Sequence, residues 1–309
     1  MFAQFAPVAG ISGTTAMHKD SSDFVAWAKA CKVIRGYQDI SNESLGFADV
    51  GDTSLALGKA GANGVISLGD GGVAILQFDS PITDNLGNDF AVFENSFDGQ
   101  FLELAFVEVS SDGVNYFRFP ATSLTDTTIQ TAPFGYTDAT KIHNLAGKYK
   151  AMFGTPFDLS DVPDNALLNK QSITHVKLID VVGSIQNQYC SRDKDGRKVN
   201  DPWPTAFGSG GFDLDAVGVI HNQALVGLAE QHTNKFTLFP NPVKNSLTIQ
   251  NQGNEVYSVE ISSATGNVVY RSNELLNNSV IDTEFFLPGM YVVKITGKRY
   301  ISNVKLVKE

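Results

Sequence analysis

Three features of the sequence predict an all-β protein: a jelly-roll-like β sandwich with a short N-terminal helix, followed by a small immunoglobulin-like β sandwich. Short apolar runs rich in Val, Ile and Phe recur along the chain, clusters of Gly, Asn, Asp and Pro divide them, and helical patterning is confined to one stretch. The chain has 309 residues, which at roughly 100–200 residues per domain suggests two units.

The helical stretch is Ser22 to Ala30, with Ser21 or Ser22 placed as its N-cap. Strands are then expected at Val73–Phe78, closed by Asp79-Ser-Pro81, and at Asp89–Glu94, after the turn residues Asn85 to Asn88. Leu102–Val109 runs into Ser110-Ser-Asp-Gly113, a hairpin signal because Asp-Gly tolerates the positive φ of tight turns, and Tyr116–Phe119 returns from it. His175–Val182 and Gly211–Ile220 complete the first unit. Many of these runs are apolar on both faces, as in a sandwich whose outer sides are also covered. The segment Thr122 to Phe157 reads as irregular, and loops that long are usually functional or mobile.

A domain is assigned to residues 1–226, a polar linker to 227–234 and a second domain to 235–309. The last part opens on Phe236 to Val243, after which strands are expected at Ser246–Ile249, Val256–Ile261, Asn267–Tyr270, Met290–Ile295 and Ser302–Val307, in a sandwich of about seven strands. Charge divides the same way. Of 23 basic and 33 acidic side chains, residues 235–309 hold eight and six, net +2, leaving net −12 on the rest. So acidic a surface argues against a nucleic-acid partner, and no run reaches the ~18–20 apolar residues of a membrane span.

Phe239-Pro-Asn-Pro242, Ser262-Ser-Ala-Thr-Gly266, Leu287-Pro-Gly-Met-Tyr-Val-Val293 and the terminal Lys305-Leu-Val-Lys308 resemble the C-terminal sorting domain, type A, of the type IX secretion system of Bacteroidetes. Pro240, Asn241, Pro242, Gly266, Gly289 and Tyr291 carry that resemblance. It implies delivery to the outside or the outer cell surface, with the translocon and its sortase as partners of residues 235–309. Such cargo first crosses the inner membrane. The start, Met1-Phe-Ala-Gln-Phe-Ala-Pro, has neither a basic nor an apolar leader region, so the signal peptide is expected to be missing or trimmed. Cys31 and Cys190 are either two separate thiols or a disulfide, and export favours the disulfide.

No catalytic template assembles in the first 230 residues. His18, His143, His175, His221 and His232 fall in no zinc-binding spacing, and Phe207-Gly-Ser-Gly-Gly-Phe212 lacks the strand–turn–helix setting of a nucleophile elbow. Acidic side chains are the stronger signal. Asp213 and Asp215 share one face of a strand, about 7 Å apart, and a calcium ion with roughly six to eight oxygen ligands suits such a pair. Asp89 and Glu94 bracket a strand, but their odd separation brings them to one site only through a bulge or a strand end. Asp180, in an apolar strand, needs a partner if buried. Asp193 and Asp195 resemble the front half of a calcium loop without its closing Glu. The competing reading is that Asp, Asn and Gly cluster because they make turns.

Ser67 to Gly72, Phe90 to Phe97, Ala105 to Gly113, Asp180 to Ser184 and Gly211 to Val217 resemble a family of Bacteroidetes cell-surface proteins, some near outer-membrane cobalamin uptake systems. That resemblance implies capture of a corrinoid and an outer-membrane transporter as partner. Trp203, between Pro202 and Pro204, is either an exposed ring that stacks on a ligand or a cap on the sandwich; Trp27 reads as core. The expected function is an exported binding protein taking a glycan or a flat metabolite such as cobalamin, through Trp203, Asp201, Phe207 and Tyr136. An extracellular polysaccharide hydrolase or lyase and a structural adhesin are the alternatives.

Overall fold

The structure, a computed structural model, describes residues 5–223, 236–251, 256–264, 266–276, 278–297 and 301–309. The chain divides into two compact units, Met1–Ala224 and Leu225–Glu309. The expected linker, 227–234, lies outside the described residues.

Thirteen strands build the first unit: β1 (Met17–His18), β2 (Ala26–Trp27), β3 (Ala30–Ile34), β4 (Ile66–Ser67), β5 (Val73–Ile82), β6 (Phe90–Glu94), β7 (Ala105–Ser110), β8 (Phe117–Arg118), β9 (Thr122–Ser123), β10 (Ile142–His143), β11 (Phe153–Phe157), β12 (Ile173–Asp180) and β13 (Asp213–Val219). One sheet runs β1-β11-β6-β13-β2, with β4 also on β13; the other runs β3-β5-β12-β7-β8, and β9 and β10 form a separate ribbon. Every pairing is antiparallel.

Alternation along the strands decides what lies between the sheets. Phe90, Val92, Leu214, Val217 and Val219 from one sheet meet Leu76, Val107, Val109, Val176 and Leu178 from the other in a single core. The intervening positions are also covered. Ala91, Phe93 and Ala216 pack under Phe24 and Trp27, while Leu104, Phe106 and Val181 pack under Ala121, Ile142 and Leu145. Both faces of β6, β7 and β13 are therefore apolar, as the sequence pattern indicates.

The expected helix at Ser22 to Ala30 is not formed: a turn at Ser22–Asp23 leads into strand residues at Ala26–Trp27 and from Ala30. Ala26–Trp27 pair with Val219 and Gly218 in one sheet, and Ala30–Ile34 pair with Gln77 to Val73 in the other. A helix of nine residues is marginal in water. The segment instead crosses from sheet to sheet and completes an edge of each, with Phe24, Trp27 and Phe93 in mutual ring contact at 5.1–5.5 Å. Gly218 makes this possible, because a Cβ there would meet Phe24 at 2.7 Å and Trp27 at 3.0 Å. The remaining helical turns among the described residues are short 3-10 turns.

The segment read as irregular contains β11. Its Pro156 sits beyond the end of β1, which pairs only with Phe153 and Gly154, so the missing N–H breaks no ladder bond.

Among the described residues, the second unit has seven strands: β14 (Phe236–Phe239), β15 (Ser246–Asn251), β16 (Tyr257–Ser263), β17 (Val268–Leu275), β18 (Ser279–Asp282), β19 (Gly289–Gly297) and β20 (Ile301–Lys308). Sheets β14-β15-β18 and β17-β16-β19-β20 enclose a separate core of Leu247, Ile249, Val259, Ile261, Val293, Ile295 and Leu306.

Cys31 and Cys190 are free thiols, so the expected disulfide is not formed. Cys31 lies on β3 opposite Leu76 and packs on the core, where burial pushes its thiol up to about 11. Cys190 lies in the loop after β12, with its Sγ 3.8 Å from the Asn187 carbonyl.

Candidate functional site

One end of the first unit gathers the C-termini of β6 and β12 and the N-termini of β7 and β13. The loop joining β6 to β7 is held by its own polar groups. Ser96 donates its N–H to Glu94 Oε2 at 2.7 Å, and Asp98 Oδ1 accepts the N–H groups of Gln100 and Phe101 at 2.7 Å. Phe97 and Phe101 are thereby set face to face at 4.7 Å. Phe134 stands 6.0 Å from Phe101, and Phe207 stands 5.8 Å from Phe134.

Three rings of this row face solvent: Phe97 is 68% exposed, Phe134 65% and Phe207 45%. Their loops are not slack. Asn200 accepts the Thr131 N–H at 3.0 Å and donates to the carbonyls of Asp126 and Ile129, and Trp203 N–H reaches the Thr131 carbonyl at 3.1 Å. Tyr136, 67% exposed, stands between an open groove of about 620 Å³ and a smaller one of about 220 Å³. Ile129, Asp126, Lys141 and Asn200 line the larger.

Two of the residues expected to bind ligand belong elsewhere. Trp203 is only 5% exposed and donates its Nε1–H to Asp70 Oδ2 at 3.1 Å, so it caps the sandwich. Asp201 is buried and accepts the Leu104 N–H at 2.9 Å. Phe207 and Tyr136 keep exposed faces. The sequence reading passed over Phe97 and Phe101; two aromatics flanking the turn residues Asp98-Gly-Gln100 are the signal that exposes them.

Of the acids expected to hold calcium, Glu94, Asp213, Asp215 and Asp180 lie towards one end of the first unit and Asp89 does not. Asp89 lies at the opposite end of β6 from Glu94, accepting Asn85 and Leu159 N–H groups and His221 Nδ1 at 2.8–3.0 Å. Asp84, Asp89 and Asp158 have ligand oxygens within 4.8 Å of one another there. Asp180 accepts Gly71 N–H at 2.9 Å and Phe212 N–H at 2.7 Å, and so ties two loops together. Gly211, at φ +72, lies against it: a Cβ there would meet Asp180 Oδ1 at 2.7 Å. Asp215 occupies a register shift in β13 and takes the Gly61 N–H on both oxygens at 2.9 Å. Asp213 accepts the Ser67 hydroxyl, and burial lifts its carboxyl to about 6. Asp193 accepts three backbone N–H groups and Arg197, which accounts for its loop as a turn.

In the second unit, Asn241 Nδ2 donates to the Lys305 carbonyl at 2.8 Å and its Oδ1 accepts the Val307 N–H at 2.9 Å, so the Pro-Asn-Pro segment is fastened to β20. Tyr291 is buried and donates to the Leu287 carbonyl at 2.8 Å, and Gly266 and Gly289 have positive φ. Residues 237–309 match the family model of the secretion system C-terminal sorting domain. They are a type IX sorting domain. The protein is accordingly secreted or displayed on the outer cell surface, and the sorting domain is the part that the type IX machinery handles. Among the described residues, no helix is long and apolar enough to cross a membrane.

Curated proteins offer no match to the chain. Among solved structures, it overlaps a DUF3244-family protein with an immunoglobulin-like β-sandwich fold from Bacteroides vulgatus, at 23% identity and TM-score 0.23, over 24% of this chain and 85% of that one. It overlaps PorZ, a surface component of the type IX secretion system of Porphyromonas gingivalis, at 13% identity and TM-score 0.22, over 43% of this chain and 21% of that one. A β-glucuronidase from Ruminococcus gnavus follows at 8% identity and TM-score 0.25, over 98% and 47%. The chain spans less than half of the latter two, and scores of this size define no shared fold.

Proposed function

We propose that the first unit is a ligand-binding module carried outside the cell by its sorting domain. The exposed row Phe97, Phe134 and Phe207, beside Tyr136 and its groove, supports this reading. Aromatic faces held in place before binding lose little freedom on contact and suit ligands with flat or C–H-rich ring faces. A glycan is the first such ligand; a flat metabolite such as cobalamin is the other. Asp213 and Asp215, the acids of the hydrolase reading, accept the Ser67 hydroxyl and the Gly61 N–H.

Calorimetric titration of the full chain with an oligosaccharide panel and with cobalamin tests the module. A saturable heat with one ligand is expected, weakened at least about tenfold, or ~1.4 kcal/mol, when Phe134→Ala and Tyr136→Ala are combined. Binding to neither class, or undiminished binding by the double variant, would remove the proposal.

A further inference from the structure

Thr137 is 4% exposed, and its Oγ1 is the one buried side-chain polar atom among the described residues that meets no hydrogen-bond partner. A buried hydroxyl left unpaired is destabilising, so a fold that keeps one calls for a reason. Its backbone is firmly held. The Thr137 N–H reaches the Gln100 carbonyl at 2.7 Å, which fastens this residue to the loop carrying Phe97 and Phe101.

Position supplies the reason. Tyr136, Thr137 and Asp138 line both the groove of about 620 Å³ and that of about 220 Å³, so Thr137 stands in the wall that divides them. Other polar atoms on the larger groove are also free. Asp126 and Asp138 each use Oδ1 to hold a turn, accepting the N–H and hydroxyl of Thr128 and of Thr140 at 2.7–2.9 Å, while Oδ2 of each accepts nothing among the described residues. Lys141 Nζ and the Tyr136 hydroxyl likewise have no hydrogen-bond or ion-pair partner among the described residues. The Thr137 oxygen is covered in the free protein. A turn about χ1 exchanges the hydroxyl and methyl of a threonine, and because Oγ1 has no bond to give up, that turn forfeits no hydrogen bond. Side-chain rotations of this kind are common where a partner arrives.

We propose that the wall between the two grooves is a sugar subsite, in which Thr137 Oγ1 exchanges a hydrogen bond with a hydroxyl of a neutral saccharide whose ring lies on Tyr136. The subsite rests on the ligand-binding reading and narrows it from two ligand classes to one. A sugar hydroxyl both donates and accepts, so it satisfies a carboxylate oxygen and a threonine hydroxyl together, while the C–H face of the ring suits the tyrosine. Two carboxylates stand against one ammonium, in a domain that is already strongly acidic. An uncharged sugar therefore meets less repulsion there than a uronate.

Calorimetric titration of the full chain with neutral oligosaccharides, with uronic-acid oligosaccharides and with cobalamin reads the subsite. A neutral oligosaccharide is expected to bind, at least about tenfold more tightly than its uronic counterpart. Thr137→Val keeps the shape and removes the hydroxyl. It is expected to weaken that binding by about three- to tenfold, and Thr137→Ser, which retains the hydroxyl, to stay within about twofold of the parent. Trp27 and Trp203, the two tryptophans of the sequence, both lie in the first unit, so their fluorescence follows its melting alone. By that measure Thr137→Val is expected to melt at the parent temperature or above it, because an unpaired polar group has become an apolar one. A lower melting temperature would show that the hydroxyl serves the fold, and it overturns the subsite. Undiminished sugar binding by Thr137→Val, or a uronate or cobalamin bound more tightly than every neutral sugar, overturns the subsite and leaves the binding module standing. Binding to none of the three classes removes module and subsite together. Should Thr137→Val fail to fold, the ranking of the three classes by the unaltered chain still decides.

Discussion

Trp203 donates its indole Nε1–H to Asp70 Oδ2 at 3.1 Å, and through that bond the Pro-rich loop after β12 is fixed to the turn between β4 and β5. Burial pushes the Asp70 carboxyl above its usual range, while the bonds from Ile40 and Trp203 oppose the rise. Trp203→Phe keeps most of the apolar bulk and deletes the donor. The expected loss is about 1–3 kcal/mol of stability in urea denaturation followed by circular dichroism, with ligand affinity unchanged.

The exposed rings behave in the opposite way. Phe134 and Tyr136 are mostly solvent-facing, so Phe134→Ala and Tyr136→Ala are expected to leave the denaturation midpoint within about 0.5 kcal/mol of the parent. A loss above 2 kcal/mol would show that these rings serve packing, and the aromatic row would no longer be a free surface.

Gly211 permits the contact between the β13 entry and Asp180. Alanine at φ +72 is strained, and its Cβ would also press on Gly69 at 2.9–3.0 Å. Gly211→Ala is expected to cost roughly 2–4 kcal/mol, read as a lower thermal midpoint of the first unit.

Lys148 supplies a pH signature. Its Nζ donates to the Ile142 carbonyl at 2.8 Å and lies 5.7–6.0 Å from the Tyr149 and Phe5 rings, and burial pulls its ammonium down to about 8. The folded state therefore releases a proton that the unfolded chain keeps up to about pH 10.5. Stability contributed by this group rises with pH from about 8 toward 10.5, at most by about 3.4 kcal/mol. Lys148→Met is expected to lack that rise between pH 8 and 9.5. Cys31 titrates in the same alkaline range but is present in both proteins, so it cancels in the comparison.

The two cores share no residue: one set ends at Val219 and the other begins at Val243. A chain ended after Ala224 is expected to melt within about 2 °C of the full chain by tryptophan fluorescence. A larger fall would mean that the sorting domain supports the fold of its cargo.

What the sequence determined by itself is the part governed by local rules. Short apolar runs bounded by turn residues placed β5, β6, β7, β12 and β13, and the motifs from Phe239 to Lys308 marked the sorting domain, because both act over a few neighbouring residues. Tertiary structure decided the rest. Ala26–Trp27 and Ala30 became strand residues because β13 and β5 offered edges that an isolated helix could not match. Trp203 turned inward because Asp70, far away in sequence, needed a donor. Asp89 and Glu94 separated because a strand carries its two ends to opposite ends of the sandwich, while Glu94 and Asp213 met at one end because β13 enters the sheet beside the end of β6 in antiparallel register. Burial and pairing depend on residues distant along the chain, so only the folded arrangement distinguishes an exposed ring from a cap, or an acid that fastens two loops from one that faces solvent.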